Sequence, residues 1–448
     1  MNAKQRLIPL ALIFFSVFSI YYLIDSKATA DREYATLLSQ ARYEAENRVV
    51  AAAEEDYNKL QKMKPSVALR LEQGEMYFDV EDYDAAFRFY RKTLLTTYPK
   101  EPGTYVYGIR AAVANNDIGD AFEVYEKCKK RELLSEEVDS LMDPIRYAYV
   151  LRDTYEDATP FMAATGVAAV KSKDSWWYIN KRGTKALSVA FDKAGLFGES
   201  GPVVEKDGTV CYIDGKGNIA LPASYFEDDS DDFGKITEFK YIQSGLVLAT
   251  DGKTWNYYSR DTRSKICGGF KGATVVANGV GAVSLDGGKW ALIDASGNFI
   301  TDYLYDEVLA DSKDVICRGN AIIVKQGDSY FLIDKTGARI GNADYEDARA
   351  FNEASLAAVK KKGKWIFIDD AGNEKTFGDY QDAGSFSNGL AAVQIDYKWG
   401  YIDMNGEVAV EPVFKEVMPV STLGVTFVRT TSDTWSLIQF YKENYDFL

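Results

Sequence analysis

One pattern recurs eight times between Tyr155 and Leu448, and a repeat of this length constrains architecture before any single residue does. The clearest copy reads Tyr380-Gln-Asp-Ala-Gly-Ser-Phe386, then Gly389-Leu-Ala-Ala-Val393, then Trp399-Gly-Tyr-Ile-Asp403 and Gly406. Each unit opens on an aromatic residue with a partner six positions later: Tyr155–Phe161, Phe191–Phe197, Phe233–Phe239, Phe270–Val276, Tyr305–Asp311, Tyr345–Phe351, Tyr380–Phe386 and Phe414–Val420. The partner is apolar except in the fifth unit. Successive starts lie 34 to 42 residues apart.

The signature strand of each unit starts at Trp176, Val210, Trp255, Trp290, Tyr330, Trp365, Trp399 and Trp435. Its third and fourth places are both apolar, as in Tyr178-Ile179, Leu292-Ile293 and Tyr401-Ile402. Adjacent strand residues point to opposite faces, so this strand is buried on both sides. A single-layer solenoid would leave one face wet. A blade packed between two other blades buries both. The expected fold is therefore a β-propeller of about eight blades, with an open β-repeat array as the alternative.

Asp-x-x-Gly follows the signature strand: Asp214/Gly217, Asp294/Gly297, Asp334/Gly337, Asp369/Gly372 and Asp403/Gly406, with Asn180/Gly183 in the first unit. A ring of metal-binding carboxylates is one reading. A hairpin turn is the better one, because Asp or Asn caps the next amides and Gly takes the positive φ. Asn makes the same local bond, which suits the turn.

Lys398-Trp399-Gly400-Tyr401-Ile402-Asp403, with Gly389-Leu-Ala-Ala-Val393, resembles the WG-repeat family; Lys364-Trp365 and Lys289-Trp290 begin weaker copies. The resemblance implies a bacterial, often exported or membrane-attached protein with no catalytic motif to carry over.

Helical periods replace the repeat over residues 31–153. Asp31 to Met63 reads as one long helix stopped by Pro65. Gly74, Tyr77, Ala86, Tyr90 and Pro99 then resemble a tetratricopeptide repeat, and Gly108, Ala111, Ala121 and Tyr125 a second. A third, poorer helix pair is expected over Glu132 to Arg152. The resemblance implies a shallow groove for a partner peptide; a plain helical spacer is the other reading.

Ahead of this, Lys4 and Arg6 precede the uncharged apolar stretch Leu7–Ile24, eighteen residues long. That length reads as a membrane anchor with its amino terminus in the cytoplasm and the body outside. Ala28-Thr-Ala30 also resembles a cleavage site, which would release a secreted protein. The expected domains are 1–30 (stub and anchor or signal), 31–153 (helical) and 154–448 (repeats).

Composition narrows the function. A net charge of −15 argues against nucleic acid. The chain has no histidine, so triads, Cys-His pairs and HExxH zinc sites are impossible. Cys128, Cys211, Cys267 and Cys317 form no CxxC and read as small buried hydrophobes, with a disulfide as the alternative. The one dense acidic run, Glu227-Asp228-Asp229-Ser230-Asp231-Asp232, reads as a solvated loop and, second, as a weak calcium site. No cofactor or catalytic group is expected. The favoured function is a non-enzymatic envelope scaffold with protein partners. The alternative is a wall-polymer or carbohydrate binder, with Tyr225 and Tyr303 as candidate platforms.

Overall fold

The structure is a computed structural model that describes residues 3–448 except 199–200, 227–233, 353–355, 432 and 443–448; the side chains of residues 3–24 are also outside the description. The chain divides into two units, Met1–Arg146 and Tyr147–Leu448.

The first unit is helical. Helix Ala3–Glu46 is followed, after a break, by Val50–Met63, so the single helix expected to Met63 is two. Arg48 adopts φ 60° at the break, a conformation that ends a helix. The two helices pack together, and Ala41 of the first and Ala53 of the second are fully buried. No helix among the described residues is long and apolar enough to cross a membrane. The anchor expectation rests on Leu7–Ile24, whose side chains lie outside the described residues, and the structure lends it no support.

Two helical hairpins follow. Val67–Asp79 and the helix from Tyr83 form the first; Pro102–Ala114 and Ile118–Lys129 form the second. Asp82 and Asp117 cap their second helices by accepting the amides of Ala85 and Asp120. A Cβ on Gly74 would stand 2.5 Å from the Tyr107 ring, and one on Gly108 2.6 Å from Tyr90. Only glycine lets these aromatic rings lie against the helix backbone. The third helix pair does not form as expected: Glu136–Met142 is one short helix, and Tyr149–Tyr155 is a strand.

The second unit holds eight separate sheets. Seven consist of consecutive strands. Blade 7 is typical: Asp382–Ala383, Leu390–Ile395, Lys398–Asp403 and Val408–Phe414, antiparallel in that order. Neighbouring blades share an apolar cluster at each of eight interfaces. The last joins Trp435, Leu437 and Phe427 of blade 8 to Ala168, Val170 and Ile179 of blade 1. The array is therefore a closed eight-bladed propeller.

The register moves one assignment made from sequence. In five blades the aromatic residue that opens the next unit lies opposite the blade's own signature residue, at the end of the outer edge. The pairs are Trp176↔Phe191, Trp255↔Phe270, Trp290↔Tyr305, Tyr330↔Tyr345 and Trp399↔Phe414. Trp435 of blade 8 finds its partner at the other end of the repeats. Tyr155, from the start of the unit, pairs with it. Strand Tyr149–Tyr155 thus completes blade 8 from the other end of the chain. In the third unit Phe233 lies outside the described residues, and Ile236, Phe239 and Ile242 occupy the lead, third and sixth places, all buried.

Tyrosines at the third place of the signature strand tie blades together. The hydroxyls of Tyr212, Tyr257 and Tyr401 donate to the carbonyls of Lys240, Thr274 and Met418 in the next blade, at 2.6 to 2.7 Å. Burial pushes the Tyr212 and Tyr257 hydroxyls far above the usual tyrosine range, so they remain protonated donors.

Closure at Tyr155 should matter as much as any internal pairing. Tyr155→Ala is expected to destabilise the propeller by about 3–5 kcal/mol, like Phe414→Ala. Denaturant unfolding of both variants checks this; a Tyr155→Ala loss under about 1 kcal/mol would contradict closure.

Candidate functional site

The repeat signature residues are occupied by the fold. Each turn aspartate accepts two backbone amides, two and four residues on. Asp294 takes Ser296 (2.8 Å) and Asn298 (2.9 Å), and Asp334 takes Thr336 (2.8 Å) and Ala338 (3.0 Å). Asp369 takes Ala371 (3.0 Å) and Asn373 (2.8 Å), and Asp403 takes Asn405 (2.9 Å) and Glu407 (3.0 Å). Asn180 does the same for Arg182 and Thr184. Hydrogen bonds from Asn298 hold the Asp294 carboxyl below the usual carboxylate range. Gly297, Gly337, Gly372 and Gly406 all take φ between 79° and 86°. These carboxylates sit one per blade on separate hairpins, and no metal-ligating cluster exists among the described residues. The calcium candidates Glu227, Asp228, Asp229, Asp231 and Asp232 lie outside the described residues.

Trp365 and Trp435 are buried; Trp176, Trp255, Trp290 and Trp399 are half-buried. Several carry a cation on the ring: Arg349 lies 4.5 Å over Trp365 and Arg429 4.3 Å over Trp435. All four cysteines are free. Burial pushes the Cys267 thiol up to about 11, which leaves it un-ionised at neutral pH.

What differs between blades falls in three places. The first is the ring axis. Met162, Leu196, Tyr241, Val275, Ala277 and Val315 share one apolar cluster, yet come from blades 1 to 5. Residues of non-adjacent blades meet only on the axis. Val315 belongs to the long fifth-unit loop, which therefore plugs that side. Asp311, the apparent loss in the repeat, organises this loop: its side chain is 2% exposed and accepts the amides of Lys313 and Val315 and Arg318 Nη2. A cavity of about 10 Å³ remains beside it, against loops of blades 1, 6, 7 and 8. That is room for about one water.

The second is the closure seam. A groove of about 540 Å³ lies between blades 8 and 1, lined by Asp153, Tyr155, Lys173, Trp177, Gly183 and Lys185 among others. Lys185 Nζ stands 3.0 Å from the centre of the Trp177 ring. Trp177 follows the signature Trp176 and faces the opposite way, toward blade 8. The doubled tryptophan was the sequence signal for this groove, and the repeat pattern hid it.

The third is blade 2, where Val210 replaces the signature aromatic and a pocket of about 210 Å³ opens toward blade 3. In blade 3 the irregular hairpin has neither Asp nor Gly in the usual places: Ser259 Oγ accepts the Thr262 amide and Arg263 takes φ 61°. Arg263 then covers the Tyr225 ring at 4.2 Å. Tyr303 packs on Phe299 at 5.5 Å, against the core between blades 3 and 4.

Asp314, in the axial loop, accepts the Val275 amide at 3.0 Å and lies 3.7 Å from Lys240 Nζ. Burial raises its carboxyl above the ordinary carboxylate value, helped by Asp311 and opposed by Lys240. Its ionised form is therefore penalised in the folded state above that raised pKa, and the penalty vanishes as pH falls toward the unfolded value. Asp314→Asn should be at least as stable as the parent at neutral pH, with the difference shrinking on acidification. Tm against pH tests this; a difference independent of pH would contradict it. The turns give a second test. Gly406→Ala should lose more than Gly372→Ala, which carries only the φ strain of about 1–3 kcal/mol, because its Cβ would also meet Phe377 at 2.5 Å.

The WG containing repeat model matches residues 330–365, 367–399 and 399–430. Each match begins in one signature strand and runs into the next blade, so it straddles two blades. No curated protein matches the chain. Among solved structures it is similar to PorZ, an essential surface component of the type-IX secretion system of Porphyromonas gingivalis (12% identity, TM-score 0.33, covering 61% of this chain and 41% of that one). It is also similar to a eukaryotic initiation factor (10%, 0.36, 66% and 91%) and to the extracellular domain of the one-component system BT4673 of B. thetaiotaomicron (10%, 0.31, 68% and 43%). The chain thus spans less than half of the first and third. The chain therefore carries WG-containing repeats over residues 330–430, set within a closed eight-bladed ring.

Proposed function

We propose that this protein is a non-enzymatic binding scaffold that works outside the cytoplasm of a bacterium and holds a protein partner of the cell envelope. The observation that carries this reading is the use of the recurring polar groups. The turn aspartates are each committed to backbone amides, and the inter-blade tyrosine hydroxyls to carbonyls, so the repeats supply a rigid frame. Binding then falls to the places where the repeat changes, above all the seam groove around Trp177. Membrane attachment through Leu7–Ile24, with the body outside, is part of this proposal and rests on the apolar length and the flanking Lys4 and Arg6.

Crosslinking of the full chain in intact envelopes should recover one dominant protein at several salt concentrations. Trp177→Ala combined with Lys185→Glu should reduce that recovery at least about tenfold, while Tm stays within a few degrees. Recovery of no envelope protein, or recovery indifferent to the groove, would contradict the reading. A glycan occupant is the second reading, because an indole face with flanking polar groups also suits a sugar ring. Sedimentation with purified wall polymer, lost on Trp177→Ala, would select it.

A further inference from the structure

In every blade one cross-strand row joins the innermost strand, the second strand and the first residue of the signature strand. Blade 6 has Asp347, Lys360 and Trp365; blade 7 has Asp382, Gln394 and Trp399. Blade 4 has Gly272, Ser284 and Trp290, and its ring lies so close to the innermost strand that a Cβ on Gly272 would meet it at 2.6 Å. An indole or phenol ring ends this row in seven of the eight blades. Blade 2 alone ends it with a small residue: Lys193, Glu205 and Val210.

The ring is missing there, and its space is not refilled. The pocket of about 210 Å³ is bounded by Gly195, Val203 and Val210 of blade 2 and by Thr237, Glu238 and Phe239 of blade 3. An apolar cavity of about 150 Å³ is already enough to hold a benzene ring. The charges around it are also rearranged. Lys193 Nζ bridges to Glu205 at 2.7 Å, and Glu238 adds a second carboxylate acting on the same ammonium, so the rim is net acidic.

From this vacancy and its charge we infer that the blade 2 slot is a docking site for a tryptophan side chain of the partner protein, flanked by a basic residue. The inference rests on the binding-scaffold reading and adds where, and by what chemistry, the partner is recognised. Shape selects the ring, since the equivalent slots of other blades hold indoles. Charge selects the neighbour: Glu205 and Glu238 outnumber Lys193. Three resident rings arrive in the pair that would satisfy both demands, Lys289-Trp290, Lys364-Trp365 and Lys398-Trp399. The partner's tryptophan would complete the row that the second unit leaves open.

The test uses the full chain and two labelled peptides, acetyl-Ala-Lys-Trp-Gly-amide and its Glu-Trp counterpart, with binding read by fluorescence anisotropy. The Lys-Trp peptide should bind saturably and at least about tenfold more tightly than the Glu-Trp peptide. Val210→Trp should abolish binding and raise Tm by about 2 °C, because the protein then fills its own slot. Glu205→Lys, which does not depend on filling the slot, should reverse the peptide preference. Absence of saturable binding, or binding unaltered by both substitutions, would overturn the inference. If the envelope crosslink persists while the peptides fail, only this docking site is refuted; if the crosslink also fails, the scaffold reading falls with it.

Discussion

The ring depends on one pairing: the signature aromatic of a blade against the lead aromatic of the next sequence unit. It has two consequences at once. Within a blade it fixes the register of the outer strand, since a slip of one residue would turn every buried side chain outward. Between blades it makes each sequence unit unable to complete its own sheet. The first lead aromatic of the repeats is Tyr155, the last signature residue is Trp435, and these two pair with each other. Trp435↔Tyr155 is the pair that closes the ring, and the core shared by blades 8 and 1 packs around it.

Much of this was legible in the residues. Paired apolar places such as Tyr401-Ile402 required a strand covered on both faces, and Ile402 and Tyr401 do pack against opposite neighbours. The residues did not reveal whose sheet each aromatic joins, because a repeat is periodic and its phase is arbitrary. For the same reason residues 149–153 read as the end of a helical segment: a strand whose partner lies nearly three hundred residues away has no local signature. The sequence offers Phe233, outside the described residues, as a lead residue because it is aromatic, whereas the hydrogen bonds of Thr237 and Lys240 put Ile236 in that place. Arg48 broke the first helix without glycine or proline to announce it.

The candidate sites were the least legible part, for a related reason. A repeat advertises what is common, and what is common here serves folding: turn aspartates, interface tyrosines and half-buried tryptophans. Asp311 looked like a lost core residue and is instead the organiser of the axial plug. Val210 stands where the seven other blades have an aromatic ring, and it leaves space. Trp177 was masked by the adjacent Trp176. Each became visible only once equivalent positions could be compared in space.

Hydrogen exchange of individual backbone amides tests ring closure most directly. Amides of Tyr149–Tyr155 paired with Trp435–Phe440 should exchange as slowly as those joining Lys398–Asp403 to Val408–Phe414, and should open in the same cooperative unit. Fast, independent exchange of the 149–155 strand, with the other blades protected, would contradict the closed ring and everything built on the phase of its repeats.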